Sequence, residues 1–203
     1  VGSEMCIRDR LWDAVRTVVD DRQIPGQFIL TGSNAVDKSQ IHHSGVGRIA
    51  RLRMLPMSLW ESQESTGEVS LKELFNNPDY DIDGKMSKMT VEELIFAASR
   101  GGWPASLLAR TPKAQLLVAK NYVQTICSND ISSIDGKKRD ARLTSMILRA
   151  YARNVSTLVK KKSLLDDVTS SGEVSCHVDT FDDYVAALEK LFVIQNISAW
   201  CPA

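Results

Sequence analysis

The stretch Gln27-Phe28-Ile29-Leu30-Thr31-Gly32-Ser33-Asn34 constrains the fold of this chain more than any other. Three consecutive apolar residues stop at small polar ones, and no polar residue interrupts them to leave a wet face. A run apolar on both faces that ends in turn-forming residues predicts a central parallel strand. Ahead of it, Leu11, Trp12, Ala14, Val15, Val18 and Val19 recur at the spacing of one helix face, and Pro25-Gly26 ends that helix. Helix followed by buried strand implies an α/β layer. In open parallel sheets ligands bind beyond the carboxyl ends of the strands. Thr31, Ser33 and Asn34 are therefore candidates to touch a phosphate or orient a water, with Gly32 permitting a tight turn. The alternative is a strand that simply ends in turn residues.

Behind this stretch, residues 35–46 read as a polar loop and "RIARLRML" as a second short strand. Arg48, Arg51 and Arg53 lie here. A guanidinium beside a transferring phosphoryl group stabilises its developing negative charge, so one of them is a candidate arginine finger; a solvated arginine cluster is the other reading. Pro56 is expected to start a short helix through Glu61.

Beyond about residue 62 the periodicity becomes helical. Thr90 and Glu93 have capping-box spacing ahead of Leu94, Ile95 and Ala98. Gly101-Gly102 stops that helix and Pro104 opens the next. Further helices are predicted at Leu71–Phe75, from Pro112 to about Ile131, at Leu143–Val155, around Ser163–Val168 and at Thr180–Phe192. A strand is predicted at Val193–Trp200.

Composition limits the chemistry. The chain is 43% hydrophobic and 25% charged, ordinary for a globular protein with a real core. No apolar run approaches the roughly 18 residues that cross a bilayer, and no signal-peptide pattern is present. Cys6, Cys127, Cys176 and Cys201 are widely spaced without C-x-x-C, which points away from a disulfide framework or zinc site and toward a reducing cytoplasm. The zero net charge conceals two blocks. Residues 61–93 hold nine acids against three bases, net −6, and residues 136–162 hold nine bases against one acid, net +8. Such blocks are either contact surfaces, within the chain or with partners, or two solvated faces.

Three motifs carry weaker chemistry. Asp79, Asp81, Asp83 and Gly84 imitate the start of a calcium loop, but Thr90 stands where the bidentate Glu belongs. His42-His43 has no carboxylate or thiol at ligand spacing. Cys176-His177 places a nucleophile beside a base, yet adjacent side chains rarely face each other. No G-x-x-x-x-G-K-[ST] occurs anywhere, so no glycine-rich loop cradles phosphates, and no apolar strand ends in paired acids to hold magnesium.

The chain begins with Val1, and Met5-Cys6-Ile7-Arg8-Asp9 resembles a translated end of a transposase adapter used in sequencing libraries. Residues 1–10 are accordingly read as an adapter-derived scar and set aside from fold reasoning, the alternative being a polar leader. On that reading the chain is a fragment.

The successive blocks "LWDAVR", "GQFILTGS", "GVGRIARLRMLPMSLWE", "GGWPASL", "NYVQTICSNDIS" and "FDDYVAALEKLFVI" resemble prokaryotic AAA+ ATP-binding proteins with a C-terminal domain of unknown function. The resemblance covers Leu11 to Ala203. It implies the C-terminal part of an ATPase core at residues 11–62, without the N-terminal Walker A and Walker B region. A helical domain would follow at 63–203, winged-helix-like from about residue 143 and cut at its end. The fold class expected is thus an α/β remnant of a P-loop NTPase core followed by a mainly α-helical domain. Thr31 and Ser33 would fall in the sensor 1 region, which senses the γ-phosphate, with Asn34 beside the nucleotide and Arg48 as the phosphate-facing arginine. ATP and magnesium are implied for the full-length parent and none for this fragment, which is expected to be inactive. Two rival readings stand beside it. One is a nucleic-acid-binding module using the basic stretch Lys137–Lys162, although Asp182, Asp183 and Glu189 on the last helix disfavour groove insertion. The other is a non-enzymatic protein-interaction or self-associating domain.

Overall fold

The computed structural model describes residues 4–24, 26–31, 50, 52–170, 172 and 174–198. Regular structure there is helical throughout, and no strand occurs among the described residues. That overturns the expected α/β remnant. The α1 helix runs Glu4–Arg22, but Phe28–Leu30 has no regular structure and pairs with no strand among the described residues. Ile29 is 90% exposed, and Leu52 in the second expected strand is 91% exposed. A strand is stable only when neighbours satisfy its backbone groups, a non-local condition that an apolar run cannot itself supply. The strand expected from Val193 is likewise irregular over 194–198, so the winged-helix-like segment, which needs a strand-built wing, is also not formed among the described residues. The helix expected from Pro56 through Glu61 is reduced to hydrogen-bonded turns at 59–63.

The chain divides into two compact units, one of residues 53–126 and one of residues 1–52 with 127–203. In the first, α2 (Leu71–Asn76), α3 (Val91–Arg100), α4 (Pro104–Leu108) and α5 (Pro112–Thr125) follow in order. Local chemistry sets their ends. Thr90 Oγ1 accepts from the Glu93 amide at 3.2 Å, and Glu93 Oε2 accepts from the Thr90 amide at 2.8 Å, the reciprocal box that the spacing predicted. Gly101, at φ +71, terminates α3 in a conformation that side chains resist. Pro104 and Pro112 each sit in the first turn of their helices, where a missing N–H costs nothing.

In the second unit a π-helical turn, Ile126–Asp130, begins at the unit boundary and leads into α6 (Ile131–Ser133). Then come α7 (Ala141–Arg153), α8 (Lys161–Thr169) and α9 (Val178–Lys190). Leu143, Ile147 and Ala150 of α7, Leu164 and Val168 of α8, and Phe181, Ala187 and Leu188 of α9 form its core with Ile131. Each large side chain so buried contributes roughly 1.5–3 kcal/mol relative to exposure. Asp140 caps α7, its Oδ1 accepting from the Leu143 amide at 2.7 Å.

Candidate functional site

Of the residues expected to meet a phosphate, Thr31 and Arg53 are described, and both are exposed on chain without regular structure, while Arg51 lies outside the described residues. Ser33, Asn34 and Arg48 lie outside the described residues, as do His42 and His43. The ATP and magnesium implied by the resemblance can still be tested against the groups that are described. Among the described residues no cluster of three or more His, Cys, Asp or Glu side chains could hold a metal ion, and this includes the acidic loop at 79–83. Among the described residues Thr31 has no neighbouring strand end to share a ligand with. The described residues do not fit a nucleotide and its metal.

The polar chemistry is concentrated around two buried arginines, neither of which the spacing of the sequence singled out. In the unit of residues 127–203, the Arg139 side chain is 2% exposed. Its Nη1 donates to the Ile131 carbonyl at 2.7 Å and to Asp135 Oδ1 at 2.8 Å. Its Nη2 reaches Asp135 Oδ2 at 2.7 Å and Asp183 Oδ2 at 2.9 Å, and Nε donates to the same Asp183 oxygen at 3.0 Å. Four of the five N–H groups of the guanidinium fork are thus hydrogen-bonded, and the Asp183 carboxylate lies beside the fifth. The guanidinium also stands 5.8 Å from the centre of the Tyr184 ring, and the Tyr184 hydroxyl accepts from the Asp140 amide at 2.7 Å. One side chain thus joins the loop before α7, the end of α6 and the face of α9.

The electrostatics follow from that geometry. The Arg139 guanidinium holds the Asp135 carboxyl down at about 2, and Lys137 and then Arg139 hold Asp183 below the usual carboxylate range. In return the two carboxylates, Asp135 first, push Arg139 further up. A guanidinium 2% exposed between two carboxylates has no open face for a phosphate, so this cluster is a structural clasp between helices.

Part of the basic block at 136–162 is engaged in the same way. Lys137 pairs with Asp183 at 2.6 Å, Arg153 with Asp167 at 2.7 Å, and Lys161 with Asp182 at 2.9 Å. Besides Asp135, the named partners are acids of α8 and α9, not the acidic block at 61–93. Cations already neutralised within a fold release fewer counterions on meeting nucleic acid.

In residues 53–126 the second buried arginine, Arg100, pairs with Glu64, which also accepts from Ser62 Oγ at 2.6 Å. Ser106, fully buried, lies 3.0 Å from the Arg100 carbonyl and 2.8 Å from the Gln115 carbonyl, which share its one hydrogen. The Met57 amide donates to the Gly102 carbonyl at 2.8 Å. A Cβ on Gly102 would sit 2.1 Å from the Met57 carbonyl oxygen, so only glycine fits this crossing. Trp103 packs its ring 4.5 Å from that of Tyr122. In the block "GGWPASL", Gly101, Gly102, Trp103, Pro104 and Ser106 each serve a backbone junction.

Cys176 and His177 form no nucleophile and base. The Cys176 thiol lies 3.6 Å from the His177 carbonyl oxygen, and burial pushes this thiol and that of Cys127 up, away from the reactive thiolate. Sequence could have flagged Asp140, which has cap spacing before Leu143. Asp135 and Arg139 likewise stand at i, i+4 spacing, but nothing local marks the pairing of Arg139 with Asp183 or of Arg100 with Glu64, 44 and 36 residues away.

Comparison with known families adds what the geometry does not. Residues 91–203, more than half of the chain, match a family described as a domain of unknown function (DUF8612), and residues 7–63 match one described as an AAA domain. No curated protein and no solved structure matches the chain.

Proposed function

We infer that this chain, which belongs to the family of the domain of unknown function DUF8612, is part of an AAA-type, P-loop-ATPase-like protein that binds ATP with magnesium. The observation that carries this reading is the AAA-domain match over residues 7–63, directly ahead of the helical domain. Within it, Thr31 and Ser33 are proposed to sense the γ-phosphate, Asn34 to contact the nucleotide, and Arg48 to face the phosphates. The 203 residues contain no G-x-x-x-x-G-K-[ST], so gripping the phosphates falls to residues outside them. This chain alone is proposed to be inactive, and DUF8612 to carry the clasped helical fold rather than the chemistry.

Among the described residues no helix is long and apolar enough to cross a membrane. Free thiols at Cys127 and Cys176 support a reducing compartment, the cytoplasm.

Titration calorimetry with magnesium and ATP tests the reading. The 203-residue chain is expected to give no binding heat, and the product of the longer reading frame to bind. A longer frame with no phosphate-binding loop, or tight binding by the 203 residues alone, overturns it.

A further inference from the structure

We propose that residues 53–126 pair with the same unit of a second copy of this chain, the apolar turn of α2 in one copy seating on the cationic face of α5 in the other. This does not rest on the nucleotide reading.

The α2 helix is six residues long, and Leu71, Leu74 and Phe75 fall on one face at i, i+3 and i+4. None of its residues is buried, and Phe75 is 81% exposed. Isolated helices shorter than about 12 residues are marginal in water, and most helices are held by packing of an apolar face. Here that face is formed and capped, Ser70 Oγ accepting from the Glu73 amide at 3.3 Å, yet Leu71, Leu74 and Phe75 all remain exposed.

The receiving surface is on α5. Lys113, Leu116, Leu117 and Lys120, spaced i, i+3, i+4 and i+7, line a shallow apolar hollow of about 210 Å³. Leu117 is 51% exposed. Among the described residues neither lysine has an ion-pair partner.

Charge selects the occupant. Residues 110–127 hold three bases and no acid, whereas residues 68–83, which carry α2, hold five acids and one base. An apolar turn with acidic surroundings complements an apolar hollow framed by lysines, and like charge disfavours α2 on α2 or α5 on α5. Both surfaces belong to one unit, so a two-fold pairing uses each of them twice, as closed symmetric dimers do. A second copy is therefore the partner whose chemistry is already present. The interface is small, and small interfaces associate weakly.

Sedimentation of the 203-residue chain from about 1 to about 200 µM, at low and at high salt, tests the proposal. A concentration-dependent dimer that weakens with salt is expected. Phe75→Glu, and separately Lys113→Glu with Lys120→Glu, should each lower association at least about tenfold while leaving the helical circular dichroism unchanged. Adding Glu68→Lys, Glu73→Lys and Asp79→Lys to the α5 pair reverses both signs, residues 68–83 going from net −4 to +2 and residues 110–127 from +3 to −1, and should recover the dimer, which a merely structural lesion would not permit. A monomer at every concentration, a dimer indifferent to these changes, or a loss that the reversed pair does not recover each overturns it.

Discussion

In residues 127–198 the side chains removed from water are mostly large and apolar, Phe181, Ile131, Ile147, Leu188 and Val168 among them; in residues 53–126 the buried set is Ala97, Ile126, Arg100 and Ser106, half of it polar. Exposure runs the other way, with Met54, Leu55, Trp60, Phe75 and Ile95 of the second region largely in solvent. The first region is held mainly by hydrophobic burial, with ion pairs joining its helices. The second is held by a backbone crossing, a buried serine and one arginine–glutamate pair. A fold that leaves so much apolar surface wet is suited to a partner, whereas one with a closed core is suited to standing alone.

Phe181→Ala should break this contrast most forcefully if it is wrong. Truncating a fully buried phenylalanine is expected to cost about 3–5 kcal/mol. Native-state hydrogen exchange should show the amides of α7, α8 and α9 exchanging about a hundredfold or more faster, with those of α3 and α5 little changed. Equal acceleration in both regions would mean that they unfold as one.

The second region has its own weak point. Gly102→Ala places a methyl group inside the Met57 backbone, so the crossing must open, at an expected cost of about 2–3 kcal/mol. The change should appear in the fluorescence of Trp103, next in sequence, and in faster exchange across α3 to α5. Wild-type stability of the variant would show that the crossing is not what holds these helices.

What the sequence revealed follows the same division between local and distant causes. The cap at Thr90, prolines at helix starts and the stripes of α7 and α9 are set by neighbours within four residues. The helices predicted at Leu143–Val155 and Thr180–Phe192 lie within about one turn of those observed, Ala141–Arg153 and Val178–Lys190. Phe28–Leu30 misled because an apolar run announces burial without saying whether a partner strand exists. The charge blocks misled differently. They are visible in the sequence, but which acid meets which base is decided by packing, and Lys137 finds Asp183 across 46 residues. Of the candidate site, Thr31 and Arg53 are described, and of the Arg139 clasp only the i, i+4 spacing from Asp135 is local.

The finest test of the contrast is acid. Asp135 titrates at about 2 in the fold against an ordinary carboxyl near 3.8, because Arg139 hydrogen-bonds its charged form. A depressed carboxyl contributes stability that is complete above the unfolded value and lost as pH falls through the folded one. The clasp should therefore weaken between about pH 4 and pH 2. The displacement alone corresponds to roughly 2.5 kcal/mol, but the carboxyl is partly open to solvent, and screening reduces the expected loss to about 1 kcal/mol. Urea midpoints of the α7–α9 region should fall over that window in the wild type and fall less steeply in Asp135→Asn, where this carboxyl no longer titrates. Asp183, lowered by Lys137 and Arg139, keeps part of the slope in that variant. If Asp135→Asn leaves the acid dependence untouched, the pairing with Arg139 contributes nothing, and residues 127–198 are held by their apolar core alone.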